Sequence, residues 1–108
     1  MTDDTNHQPA VLTVFRSRLR PGAEKRYRTM ADEMEARARA IPGFVYFKTF
    51  VAEDSERVSI IVFDSWSNHR AWRDDTEHRH AQAMGRAEFY DEYDITVCEV
   101  AQRRMFPS

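Results

Sequence analysis

Two Pro-Gly pairs, Pro21-Gly22 and Pro42-Gly43, divide the first half of the chain more firmly than any other feature. Proline cannot continue a helix and glycine readily leaves one, so an element that meets such a pair ends there. The stretch between them, Ala23 to Ala40, holds neither residue and is filled with good helix formers. Within and just past it Tyr27, Met30, Ala31, Met34, Ala38 and Ile41 recur at spacings of three and four, which predicts a helix laying one apolar stripe across a sheet.

The flanking segments read as strands. Ala10 to Arg20 (AVLTVFRSRLR) is rich in β-branched and aromatic residues and stops at the first pair. Phe44 to Ala52 follows the second pair, and the polar turn Glu53-Asp54-Ser55-Glu56 leads into Arg57 to Ser65 as an antiparallel hairpin partner. Ser67 is a candidate cap for a helix through Trp72, Thr76 marks a second start or a kink, and the helical pattern runs on from His78 to Tyr90 with Ala81, Met84 and Phe89 inward. Gly85 inside that pattern costs ~1 kcal/mol relative to Ala, so a close contact or a break is expected there. Tyr93 to Val100 closes the order βαββαβ, an α+β ferredoxin-like domain with a four-stranded antiparallel sheet and helices on one face. Residues 1–9 are expected as a loose tail, 10–101 as the domain, and 102–108 as a polar extension with Met105 and Phe106 as anchors.

A chain of 108 residues leaves room for one such domain. The formal charge of −2, with both signs mixed along the chain, argues against a nucleic-acid partner. No stretch approaches the ~20 apolar residues of a membrane span, and the polar, acidic start lacks the basic and apolar regions of a signal peptide. The single cysteine, Cys98, builds neither a disulfide within the chain nor a zinc or redox pair, and as a small residue in an apolar strand it is expected to be inert. A cytoplasmic location is therefore expected.

The strands do not alternate as a half-wet sheet should. Phe44, Tyr46 and Phe50 fall on one side of the second strand and Val45, Phe47 and Val51 on the other, while Val58, Ile60 and Val62 oppose Ile61 and Phe63 in the third. Helices hide one face only, so the other is expected to meet an identical sheet in a homodimer. The alternative is that these are large residues tolerated at sheet edges.

Several of these residues also form a family pattern: Arg20-Pro21-Gly22 before a long helix, Ile41-Pro42-Gly43-Phe44, an aromatic hairpin, and Phe63-Asp64-Ser65-Trp66 leading to Trp72-Arg73 and Glu77-His78-Arg79. Across residues 10–101 the chain resembles the antibiotic biosynthesis monooxygenase (ABM) domain family. The resemblance implies a dimeric α/β barrel, its two sheets face to face, with a pocket in each subunit between sheet and helices. Members of the family include cofactor-independent oxygenases that convert aromatic polyketide phenols to quinones, haem-degrading oxygenases, quinol oxygenases and proteins without catalysis, and fold alone does not choose among them.

Asn68 and Trp72, four apart on one helix face, resemble the Asn and Trp that line the pocket of the polyketide-oxidising members. With His78 as the base they form the expected catalytic set, acting on a small aromatic, phenolic or quinol-type substrate, and Phe15, Tyr27 and Tyr90 are candidate substrate-binding residues. The same residues can serve as core (Trp72, Tyr27, Tyr90), first helical turn (Asn68) and surface (His78). Haem-degrading members carry an Asn on the first strand where this chain has Phe15, so no cofactor is expected and haem is disfavoured. His78 and His80, two apart on a helix, point ~200° apart, so no metal site is expected, and the histidines, His69 included, default to the surface. Arg16, Arg18 and Arg20 share a strand face and are expected to be solvated or paired with acids such as Glu99.

Overall fold

The computed structural model describes residues 8–107; of the tail expected over residues 1–9, residues 1–7 lie outside the described residues, as does Ser108. The elements are β1 (Val11–Leu19), α1 (Glu24–Ala40), β2 (Phe44–Val51), β3 (Arg57–Phe63), α2 (Trp66–Arg73), α3 (Thr76–Met84), a π-helical turn over Gly85–Phe89, and β4 (Tyr90–Glu99). The strands form one sheet in the order β2-β3-β1-β4, every neighbouring pair antiparallel. This is the ferredoxin-like α+β fold expected from the sequence, and the sheet remains open.

The helices cover one face. Val11, Thr13 and Ser17 of β1 point into the protein, as do Ser59, Ile61 and Phe63 of β3, while Arg16 of β1 is exposed on the opposite side. One core cluster joins Ala38, Ile61, Phe63 and Trp72 with Ile41, Phe44 and Phe47 packed against it. The other joins Tyr27, Phe89 and Tyr90 with Phe15, Leu19 and Met30. Removing a side chain such as Ile61 or Phe63 from water contributes ~1.5–3 kcal/mol each.

The second Pro-Gly pair does more than stop α1. Gly43 has φ +84°, and a Cβ there would collide with the side chains of Asn68 and Asp64, so this turn needs glycine for both conformation and space. At Gly85 both expectations hold: the regular helix gives way to the π turn, and the ring of Tyr90 packs where a Cβ would sit.

Local details differ from the sequence reading. The cap of α2 is Ser65, whose Oγ accepts from the Asn68 backbone N–H at 3.2 Å, and not Ser67. Asp75 caps α3 in the same way, accepting from the His78 N–H at 3.0 Å, so the second start at Thr76 is real. Tyr90 opens β4 instead of ending a helix, because the π turn releases the chain at Phe89. A register shift between Phe44 and Tyr46 divides β2: Phe44 joins the covered face with Phe47, while Tyr46 lies beside Val62 on the open face. Cys98 is exposed and not buried, and Met105 and Phe106 are exposed rather than anchored to this subunit.

The strand-one arginines are paired, but not by Glu99. Arg16 meets Glu56 at 2.8 Å, and Arg18 meets Asp54 at 2.8 Å and Glu92 at 3.2 Å. Arg20 lies past the strand and donates to the carbonyls of Ala87 and Tyr90 at 2.7 and 3.2 Å, fastening the π turn. Glu99 instead accepts from the Trp66 indole N–H at 2.6 Å.

Candidate active site

On the covered face the sheet interrupts its large residues with small polar ones: Thr13 in β1, Ser59 in β3, and Thr49 beside it in the edge strand β2. A sheet meant only to support helices would carry branched apolar side chains there. The volume they omit is a cavity of about 520 Å³ between sheet and helices, bounded by members of both core clusters. Sites for small molecules commonly span ~300–1,000 Å³.

One wall of the cavity is made by α2 and the start of α3. Trp72 packs its ring on Phe63, 5.5 Å between centroids, and is flanked by two imidazoles, His78 at 4.4 Å and His69 at 5.9 Å. Three buried side-chain polar atoms among the described residues lack a hydrogen-bond partner: His69 Nδ1, Trp72 Nε1 and His78 Nδ1. All three residues line the cavity. An orphaned buried polar atom costs ~1–3 kcal/mol, so three on one wall set this part of the interior apart.

The two histidines are held differently. His69 is buried on α2, with Nε2 3.4 Å from the Thr13 hydroxyl on β1. Burial holds its pKa below the ordinary imidazole value, with the charges of Arg73 and Arg70 adding to the effect. His78 is half-buried, and burial again is the main cause that holds its pKa low. Both are therefore neutral at pH 7, each with a buried Nδ1 that has no hydrogen-bond partner. Asp75, which caps α3 next to His78, is clamped by Arg37 of α1 at 2.9 Å, and that guanidinium holds its carboxyl below the usual carboxylate range.

The opposite wall is aromatic. Phe15 meets Tyr90 edge-on at 5.5 Å, Tyr90 meets Tyr27 at 5.9 Å, and Tyr93 closes on Phe15 at 5.7 Å. Burial pushes the Tyr27 and Tyr90 phenols above their ordinary pKa, so both stay protonated. Tyr93, Ile95 and Val97 of β4 also line the cavity and remain partly exposed, because the helices stop short of this edge strand.

Of the residues singled out in the sequence, Trp72, His78, Phe15, Tyr27 and Tyr90 meet in this one cavity. Asn68 is not brought to it. Its amide donates to Asp64 Oδ1 at 2.8 Å beside Gly43, tying the start of α2 to the preceding turn. His80 is exposed on α3, away from the cavity wall. His69, placed at the surface by the sequence reading, is buried in the site. Its spacing of three before Trp72 puts the two on one helix face, and that was the available signal. Among the described residues no three His, Cys, Asp or Glu side chains converge as a metal site, and no helix is long and apolar enough to cross a membrane.

An antiparallel ferredoxin-like sheet, covered on one face and holding an aromatic cavity under its helices, defines a class of small α+β ligand-pocket domains. Within that class the chain belongs to the antibiotic biosynthesis monooxygenase family, whose sequence profile matches residues 10–84. It is similar to the protein YqjZ of Bacillus subtilis (strain 168), 27% identical over 99 residues that cover 92% of this chain and 87% of that one. Among solved structures it resembles SnoaB, a cofactor-independent oxygenase from Streptomyces nogalater, at 19% identity and a TM-score of 0.74 over 93% of this chain and 99% of that one. It also resembles Rv0793 from Mycobacterium tuberculosis, at 20% identity and a TM-score of 0.79 over 89% and 99% of the two chains. The structural likenesses show the shared fold, and the family profile shows the membership.

Proposed function

We propose that the protein is a cofactor-independent monooxygenase acting on a small phenolic or quinol-type aromatic, in a homodimer whose subunits meet through the open faces of their sheets. The observation that carries the reading is the set of three unpartnered ring nitrogens on His69, Trp72 and His78 in one aromatic cavity. A phenol or carbonyl oxygen placed there receives the Trp72 N–H, and a phenolic proton has a neutral imidazole to go to, with His78 the base and His69 in reserve. The likeness to SnoaB supports the absence of a cofactor.

The chemistry balances without a metal. A phenol whose ring carries an oxidisable CH₂ loses its proton to His78 and passes one electron to O₂. The resulting radical and superoxide combine at that carbon, and the hydroperoxide so formed breaks down to a carbonyl and water. One oxygen atom enters the product, the other leaves as water, and the electrons come from the substrate. The apolar walls keep the radical pair together and bulk water out.

The dimer reading rests on the open face, where Tyr46 and Phe50 are exposed and Leu12, Val14, Val58, Ile60 and Val62 are only half covered. A second sheet removes that surface from water.

The test is oxygen consumption by metal-free protein with a panel of anthrones and hydroquinones. Uptake is expected, falling ~10²-fold or more in His78→Ala and in Trp72→Phe. No uptake with any member of the panel, or uptake unchanged in both variants, contradicts the assignment. A saturable Soret shift on haem titration would instead turn the two free imidazoles toward iron.

A further inference from the structure

The cavity has a second polar end, four residues along the sheet from the first. On β1 Thr13 lies by His69, and on β3 its neighbour is Ile61. Four residues on, Ser17 pairs with Arg57. The rise of a strand makes that separation ~13 Å, more than one aromatic ring spans.

Arg57 stands out among the arginines of the fold. It is half-buried on the covered face, lines the cavity, and rests its guanidinium over the Tyr27 ring at 5.3 Å. Arg16 and Arg18 have carboxylate partners, as do Arg26, Arg37, Arg39 and Arg73, and Arg20 donates to backbone carbonyls. Among the described residues Arg57 has no ion pair and no side-chain hydrogen bond, although five N–H donors crowd its planar head. Arg28 and Arg86, also without carboxylate partners, line the same cavity, against Asp32 as the unpaired acid. Among these lining residues the unpaired cations outnumber the unpaired acid, and the stacked guanidinium of Arg57 offers a planar face to an oxyanion.

We infer that Arg57 is a specificity residue, and that the ligand of the cavity is an extended aromatic carrying a carboxylate, which docks on Arg57 while its phenolic or carbonyl end reaches Trp72 and His78. The inference rests on the aromatic-ligand reading above and adds the acidic substituent and its orientation. Tyr27 stacks on the guanidinium, and Phe15 and Ile95, paired across β1 and β4, lie between the two polar ends as apolar walls for the fused rings. A neutral aromatic of the same size leaves Arg57 without a partner in a partly dry site and binds more weakly for that reason.

Two fluorescent probes of one size separate the acidic group from the ring: anthracene-2-carboxylate and 2-(hydroxymethyl)anthracene, titrated into the full chain. The carboxylate is expected to bind ~10-fold tighter or more, as a charge-assisted pair makes it. Arg57→Gln should remove that preference, weakening the acid while the alcohol binds at least as tightly as before, and Arg57→Lys should restore part of it. Retained binding of the alcohol shows that the variant cavity is intact. Equal affinity of the two probes for the unaltered protein overturns the role of Arg57 while leaving an aromatic cavity in place. Acid binding indifferent to Arg57→Gln overturns it as well, and binding of neither probe overturns both this inference and the aromatic-ligand reading.

Discussion

On the helix-covered face of the sheet, three buried ring nitrogens and one half-buried guanidinium have no partner; on the open face, Arg16 and Arg18 are tied to Glu56, Asp54 and Glu92. The same strand, β1, serves both faces through alternate residues. What the covered side leaves unsatisfied is polar, and what the open side leaves uncovered is apolar: Tyr46 and Phe50, with Ile60 and Val62 beside them. On the proposed function, a ligand fills the first and a second sheet covers the second.

The comparison breaks first in the core. Phe63 is fully buried under Trp72 and Phe44, so Phe63→Ala should cost ~3–5 kcal/mol in urea unfolding. Phe50 on the open face is 47% exposed, and Phe50→Ala should cost under ~1 kcal/mol of subunit stability in protein diluted to the monomer. A similar cost for both would mean that the open face is part of the subunit core.

Ile60→Glu tests the open face directly. Placing a charge where the proposed second sheet packs should weaken self-association by ~2 kcal/mol or more, read by sedimentation equilibrium, and should leave the melting of the monomer near its original value. Unchanged association would place the interface elsewhere.

How far these faces were legible in the sequence depends on how local the signal was. The Pro-Gly pairs, the helical stripe and the aromatic hairpin set the order of elements, because each is written within a few consecutive residues. The face assignment of β2 was not, since the register shift after Phe44 is a choice made by pairing with β3. Tyr90 read as helix because nothing around Gly85 marks a π turn; what ends the helix is the Tyr90 ring against Gly85 and the hold of Arg20 on the Ala87 carbonyl, both long-range or three-dimensional. In the site, Trp72, His78, Phe15, Tyr27 and Tyr90 were legible as residue types suited to a pocket. Asn68 carried a matching spacing, yet the nearby Asp64 captures its amide. His69 was assigned to the surface and Arg57 was passed over, because burial and the lack of a partner, which single them out, are tertiary facts.

A smaller effect comes from pH. His69 and His78 have folded-state pKa values held below the ordinary imidazole value by burial, so below about pH 6.5 the unfolded chain binds more protons than the folded one. Stability from this source is complete above that pH and is lost as pH falls toward the lowered folded values. The melting temperature should decline from pH 7 to pH 5, and His69→Leu should flatten part of that slope; a slope equal in the variant would remove His69 as its cause. The smallest effect belongs to the paired face. Arg16→Ala breaks an exposed ion pair and should cost less than ~1 kcal/mol, vanishing in high salt.

The two indoles carry the same contrast in one spectrum. The Trp66 N–H is committed to Glu99 at 2.6 Å, while the Trp72 N–H is buried and free. Titration of ¹⁵N-labelled protein with 1-naphthol, following the two indole N–H resonances, therefore tests whether the cavity wall awaits an oxygen ligand. The account predicts a saturable shift of the Trp72 resonance with that of Trp66 unmoved; a Trp72 resonance that stays in place while naphthol saturates the protein would contradict it.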